Sequence, residues 1–152
     1  MTRTNHLIVA GAMALALKLP PLQAGVFLFG GVAPDLDLVV WGSAAHRTVT
    51  HWWPLWAGLL AWSIRGGQEA IGLFTAALAG GALVHLACDS LTRAGIPLGP
   101  NPFGRKRGWR LVATGTLKET GLALAMAAII FVGGLMLGGP SALLGIISGY
   151  FG

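Results

Sequence analysis

Charge is what this sequence has least of. Of its 152 residues only 10% are charged and five are acidic, while 55% are hydrophobic, and the mean hydropathy is +0.72. Ordinary soluble domains carry about a quarter charged residues, and a surface this poor in charge would not keep a soluble helical protein dispersed. The composition therefore points to an integral membrane protein. Cysteine is nearly absent as well. The one thiol, Cys88, excludes an internal disulfide and a Cys-type structural zinc finger, and it leaves the redox compartment open.

Against that scarcity, the stretch PDLDLVVWGSAAHRTVTH, residues 34–51, holds two of the three aspartates and two of the four histidines. The net charge of +5 and the isoelectric point near 10.4 could suggest nucleic acid. In a membrane protein, however, Lys and Arg are explained first by topology, so no nucleic-acid partner is expected.

The hydropathy pattern predicts an all-α membrane bundle of about five to six short helices in a single domain over residues 1–152. A first segment, 5–17, stops at Lys18, Pro20 and Pro21, because proline lacks the helical N–H and pushes the preceding residue out of the α region. The same interruption fits a cleaved signal peptide poorly. Further segments run over 22–32, 51–64, 70–91 and 119–137, with a polar loop at 92–118 and a last short helix at 141–151. Crossing the hydrocarbon core takes about 20 residues, so the fourth and fifth are the surest spans.

If the first four helices alternate direction, as short connections require, the polar residues meet at one end. His6 opens the first helix, Asp35 and Asp37 follow the second, His51 starts the third, His85 and Asp89 lie near the end of the fourth, and Glu119 opens the fifth. Arg3, Arg47, Arg93, Arg105, Lys106, Arg107, Arg110 and Lys118 fall on this side, and only Lys18 and Arg65 on the other. By the positive-inside rule the polar end faces the cytoplasm.

His85 and Asp89, spaced i, i+4, share one helix face as a chelating pair would. An ionisable residue inside a membrane helix marks a functional site by default, although a hydrogen-bonded His–Asp pair is the plain alternative. Asp35 and Asp37 sit at a proline turn where a carboxylate can swing inward. Two carboxylates close together call for a cation or proton between them, whereas the bland reading is a polar turn with Asp35 as a cap. His46 and His51 are too far round to share a helix face, so His51 is the expected ligand and His46 a neighbour that orients it or moves protons. Trp41, Trp52, Trp53 and Trp56 offer the competing reading of an interfacial aromatic belt. Together His6, Asp35, Asp37, His51, His85 and Asp89 form the expected metal-ligand set. Imidazole and carboxylate donors suit zinc, with manganese or iron as alternatives, and more than four candidates suggest one to three ions.

The succession of His6, PDLD, HRTVTH, HLACDSLTRAG, NPF and TGTLKE resembles the membrane-bound metal-dependent hydrolases of the YdjM type, whose pattern reads roughly H…PDxD…HRGxTH…HxxxDxxTxxG…PF…E. The likeness runs from residue 6 to about 119. Thr48 stands where that family usually has glycine, and Trp52 where serine is common. More distantly, the spacing of Asp35 or Asp37 to His51, followed by H-x3-D, is similar to zinc-dependent phospholipase C and P1-type nucleases, which implies several zinc ions and phosphodiester hydrolysis.

The expected activity is hydrolysis of a phosphoester, in a phospholipid or lipid-linked phosphate, by metal-activated water at the membrane surface. Glu119 or His46 would act as general acid or base, and Arg47 and Arg93 are the natural binders of an anionic oxygen. The run RKRGWR, 105–110, could gather anionic headgroups. A noncatalytic subunit with a structural metal is the alternative. A transporter fits less well, because helices one, two and five lack acidic or histidine residues in their interiors.

Overall fold

The structure, a computed structural model of the chain, describes residues 1–65 and 69–137, side chains of 43–45 excepted. The chain rises through α1 (Arg3–Ala16), whose end is set by Lys18 at φ 49° and the two prolines behind it. Pro21 then opens α2 (Pro21–Gly30), where its fixed φ and missing N–H cost nothing. Pro34 starts a 3-10 turn, Ala33–Leu36, and Asp37 begins α3 (Asp37–Ala45), which is interrupted at Gly42. A second 3-10 turn, Val49–His51, leads into α4 (Trp53–Arg65), and α5 (Ala70–Ser90) follows. The loop beyond it contains a small antiparallel pair, β1 (Ile96–Pro97) and β2 (Lys106–Arg107), before α6 (Leu117–Met136).

The all-α expectation holds, with three local corrections. The PDLD region is a 3-10 turn running straight into α3 rather than an extended turn. His51 belongs to the 3-10 turn before α4, not to the helix itself, because Pro54 favours the first turn of a helix and fixes its start one or two residues later. The polar loop holds a strand pair. The last segment, 141–151, lies outside the described residues.

α5 is the centre of the bundle, flanked by α2 and α4, while α1 packs along α6. Contact is close because small residues line it. A Cβ on Gly81 would lie 2.0 Å from the Phe27 carbonyl oxygen, and one on Gly30 would lie 2.2 Å from that of Leu78. Such backbone approach between α2 and α5 is open only to glycine, and it is how membrane helices gain packing energy where lipid removes the hydrophobic drive.

α5 and α6, at 21 and 20 residues, are long and apolar enough to cross a membrane. At 1.5 Å per residue each reaches about 30 Å, the thickness of the hydrocarbon core. A third crossing is available if α2 and the helix after it, bent by 51°, act as one broken span. Ile129, Val132, Leu135 and Met136 lie exposed along α6, a surface suited to lipid rather than water.

Candidate metal centre

His85 and Asp89 sit on the last two turns of α5, Asp35 on the 3-10 turn after α2, and His51 on the turn before α4. The folding back of these elements brings all four together, each buried. One ligand atom from each lies within 4.8 Å of the others. His51 Nε2 is 3.5 Å from Asp35 Oδ1, 3.5 Å from Asp89 Oδ2 and 3.3 Å from His85 Nε2. His85 Nε2 is 3.6 Å from Asp35 Oδ1 and 3.7 Å from Asp89 Oδ2. A tetrahedral ion with bonds of about 2.0–2.1 Å needs ligand separations of about 3.4 Å. The residues present therefore fit a zinc-like ion.

The tautomers point the same way. His85 Nδ1 donates to the Gly31 carbonyl at 2.9 Å, which leaves Nε2 as the lone-pair nitrogen facing the cluster. His51 Nδ1 is 3.2 Å from Thr50 Oγ1, and that hydroxyl donates to Asp37 Oδ2 at 2.6 Å. A hydroxyl whose proton is engaged can only accept, so His51 Nδ1 is a donor and its Nε2 faces inward, bare whenever the ring is neutral. Two imidazole lone pairs thus oppose two carboxylates in a buried space, an arrangement that repels itself unless a proton or cation lies between.

Among the described residues Asp89 Oδ2 and both ring nitrogens of His6 are buried with no hydrogen-bond partner. The His6 ring stacks on His85, centroids 3.7 Å apart, and its Nε2 lies 3.3 Å from Asp89 Oδ1. The α-amino group of Met1 pairs with the same oxygen. His6 therefore borders the cluster on the Asp89 side.

Asp37 is placed differently from the other ligand candidates. It accepts from Thr50 Oγ1 and, at 3.2 Å, from the Arg47 N–H, and its Oδ1 is 2.8 Å from His46 Nδ1. With His46 and His51 it makes a second group of close donors, but its oxygens already have partners, and it stands behind His51 as carboxylates commonly stand behind metal-bound imidazoles. His46 is the one histidine with solvent access, its side chain 20% exposed.

Burial alone would lower the pKa of His51. The carboxylates of Asp35 and Asp89 beside it, with the charge of Asp37, outweigh that effect and hold the imidazole above its ordinary value of 6.5.

Two residues expected to work on substrate have other partners. Arg47 is buried, with NH1 bonded to Thr92 Oγ1 at 3.2 Å and to the Gly95 carbonyl at 3.0 Å. Its NH2 lies 2.9 Å from Asp89 Oδ2, at ion-pair distance but off the line of a hydrogen bond. Glu119 is buried at the start of α6, where Thr116 caps the helix, and its carboxylate accepts from the backbone N–H groups of Thr2 and Gly115. That clamps the start of α1 to α6 and takes up both oxygens. Arg93 is exposed.

Sequence reasoning missed Thr50, Thr92, Gly31 and Gly95, which orient the cluster through a hydroxyl or a carbonyl. The two threonines stand inside motifs already singled out, HRTVTH and HLACDSLTRAG, which is the signal that could have found them. The backbone carbonyls leave no side-chain signal. The tryptophans are less a free belt than a set of ties: Trp52, Trp53 and Trp56 donate to the carbonyls of Gly99, Leu98 and Thr50.

No curated protein and no solved structure matches the chain, so the distant likeness to phospholipase C and P1-type nucleases remains one of spacing. A family model does match, over residues 1–151, and it takes in every residue of the cluster: the chain belongs to the YdjM inner membrane protein family.

Proposed function

We propose that the chain is a multi-pass inner-membrane hydrolase, metal-dependent, that cleaves a phosphoester in an amphiphilic substrate at the cytoplasmic end of its bundle. The observation that carries this reading is the convergence of buried imidazole nitrogens of His51 and His85 with carboxylate oxygens of Asp35 and Asp89 at separations matching a small divalent ion. Zinc suits these donors best, and manganese or iron are the alternatives. Such an ion, when bound, supplies Lewis acidity and lowers the pKa of water toward about 7.

The chain's own residues do the rest. Asp37, through Thr50, and the Gly31 carbonyl keep the two imidazoles turned inward. Arg47 holds Asp89 in place and joins the turn around residues 46–51 to the end of α5. His46, at the solvent edge with Asp37 behind it, is the group positioned to carry protons in and out. Membrane lipids are the expected surroundings, and a phospholipid or lipid-linked phosphate the expected substrate class.

One observation favours a second reading, a noncatalytic subunit whose metal staples short helices. All four central donors are buried, as in a closed structural site. Metal analysis of the purified full chain beside a His85→Ala, Asp89→Ala variant, followed by a screen of phosphodiester and lipid-phosphate substrates, separates the two. Trace metal in the wild type overturns both. Stoichiometric metal with no turnover on any substrate leaves the staple. A reporter fused after Arg107 that gives a periplasmic signal would reverse the orientation.

A further inference from the structure

The loop between α5 and α6 carries a dense positive charge that none of the described residues answers. Arg105, Arg107 and Arg110 are exposed, and among the described residues no hydrogen bond or ion pair engages their guanidinium groups. The acidic residues are all placed elsewhere. Asp35, Asp37, Asp89 and Glu119 are buried, and Glu69 stands before the first turn of α5, about 30 Å along that helix from the loop. Among the described residues no acidic side chain is placed to neutralise the loop.

The loop is also shaped and anchored. Lys106 and Arg107 form the extended strand β2, with Arg105 immediately before it. Lys106 Nζ donates to the His46 carbonyl at 2.7 Å and ties the strand down, while Arg105, Lys106, Arg107 and Arg110 border a cavity of about 340 Å³. At Gly95, φ 64°, the Arg107 carbonyl comes within 2.3 Å of where a Cβ would be. Glycine makes this approach possible. Beside the arginines, Phe103, Trp109 and Leu111 are 72%, 76% and 59% exposed. Because the loop joins two helices able to cross a membrane, it lies at a bilayer surface, where headgroup phosphates meet the first methylenes.

We propose that this loop is a docking surface for anionic phospholipid headgroups, with Arg105, Arg107 and Arg110 holding the phosphate and Phe103 and Trp109 resting among the upper acyl carbons. Guanidinium forks match phosphate oxygens, and aromatic rings favour the same depth. This goes beyond the hydrolase reading and stands independently of any metal, since none of the three arginines touches the cluster.

The test uses the full chain in a neutral detergent, offered equal amounts of phosphatidylglycerol and phosphatidylcholine, with retained lipid read by native mass spectrometry. Phosphatidylglycerol should be retained at least about tenfold over phosphatidylcholine. The Arg105→Gln, Arg107→Gln, Arg110→Gln variant should lose that preference and retain the two lipids equally, as expected from removing three basic groups at a charged interface, while its metal content stays that of the wild type. Equal retention of the two lipids, or unchanged retention by the variant, overturns the proposal. Displacement of phosphatidylglycerol by an equal amount of inorganic phosphate also overturns it, because the site would then be one for a free anion.

Discussion

Arg47 reaches within 2.9 Å of Asp89 Oδ2 from a left-handed backbone position, φ 60°. For a residue with a Cβ that conformation costs about 1–2 kcal/mol, so the ion pair and the bonds to Thr92 and Gly95 must outweigh it. Removing one partner of a buried pair costs about 3–5 kcal/mol. Arg47→Ala should therefore lose about that much in unfolding stability, and Arg47→Gly about 1 kcal/mol less, since glycine relieves the backbone while deleting the same side chain. Denaturant titration in micelles checks both. Equal losses would show that the backbone at residue 47 carries no strain.

Metal retention should separate donors from the residues that aim them. His85→Ala removes a donor and should abolish binding at stoichiometric metal. Thr50→Val and Asp37→Asn leave all four central donors in place and should weaken affinity about 10–100-fold, the usual effect of losing an outer partner. Competition with a chromophoric chelator gives the numbers. If Asp37→Asn behaves like His85→Ala, Asp37 is itself a ligand.

The acid–base behaviour of His51 has a defined sign. Its pKa is raised in the folded state above 6.5, so in metal-free protein its protonation contributes stability that is complete below about pH 6.5 and fades as pH rises through the raised value. Metal binding runs the other way, because the ion competes with that proton. Thermal midpoints from pH 5 to 9 should fall with pH in chelator-treated protein and rise with pH when metal is present. Parallel profiles would show that His51 takes no part in either.

Gly81→Ala tests the closeness of α2 and α5. The new methyl would sit 2.0 Å from the Phe27 carbonyl oxygen, backbone that cannot move without carrying Gly31 and its bond to His85 along. Overpacking of this kind costs about 1–3 kcal/mol, and it should lower metal occupancy as well as the thermal midpoint. Gly58→Ala, where a methyl meets nothing within 4 Å inside α4, should leave metal occupancy unchanged and should not lower the thermal midpoint.

The sequence made the helices and the convergence of His6, Asp35, His51, His85 and Asp89 legible because hydropathy marks each segment and short connections leave little choice but antiparallel neighbours. It was less informative between residues 33 and 51. There proline, glycine and tertiary contacts decide between turn and helix, and local pattern does not say that Asp37 will face Thr50 while Asp35 faces His51. Arg47 was read as a natural binder of an anionic oxygen, and Glu119 as an acid or base because the topology brings it to the polar end. Their actual neighbours, a carboxylate on another helix and two backbone amides, are long-range facts with no local trace.

Three of the four histidines are sealed from solvent and one, His46, is not. The edge of the centre thus meets solvent through one imidazole. An imidazole-acylating reagent applied to the intact folded protein would mark a single ring, and the rate of that marking would report who comes and goes at that edge: an ion settling inside, or a lipid leaning over it from the neighbouring loop, would slow the reagent without touching the residue it attacks.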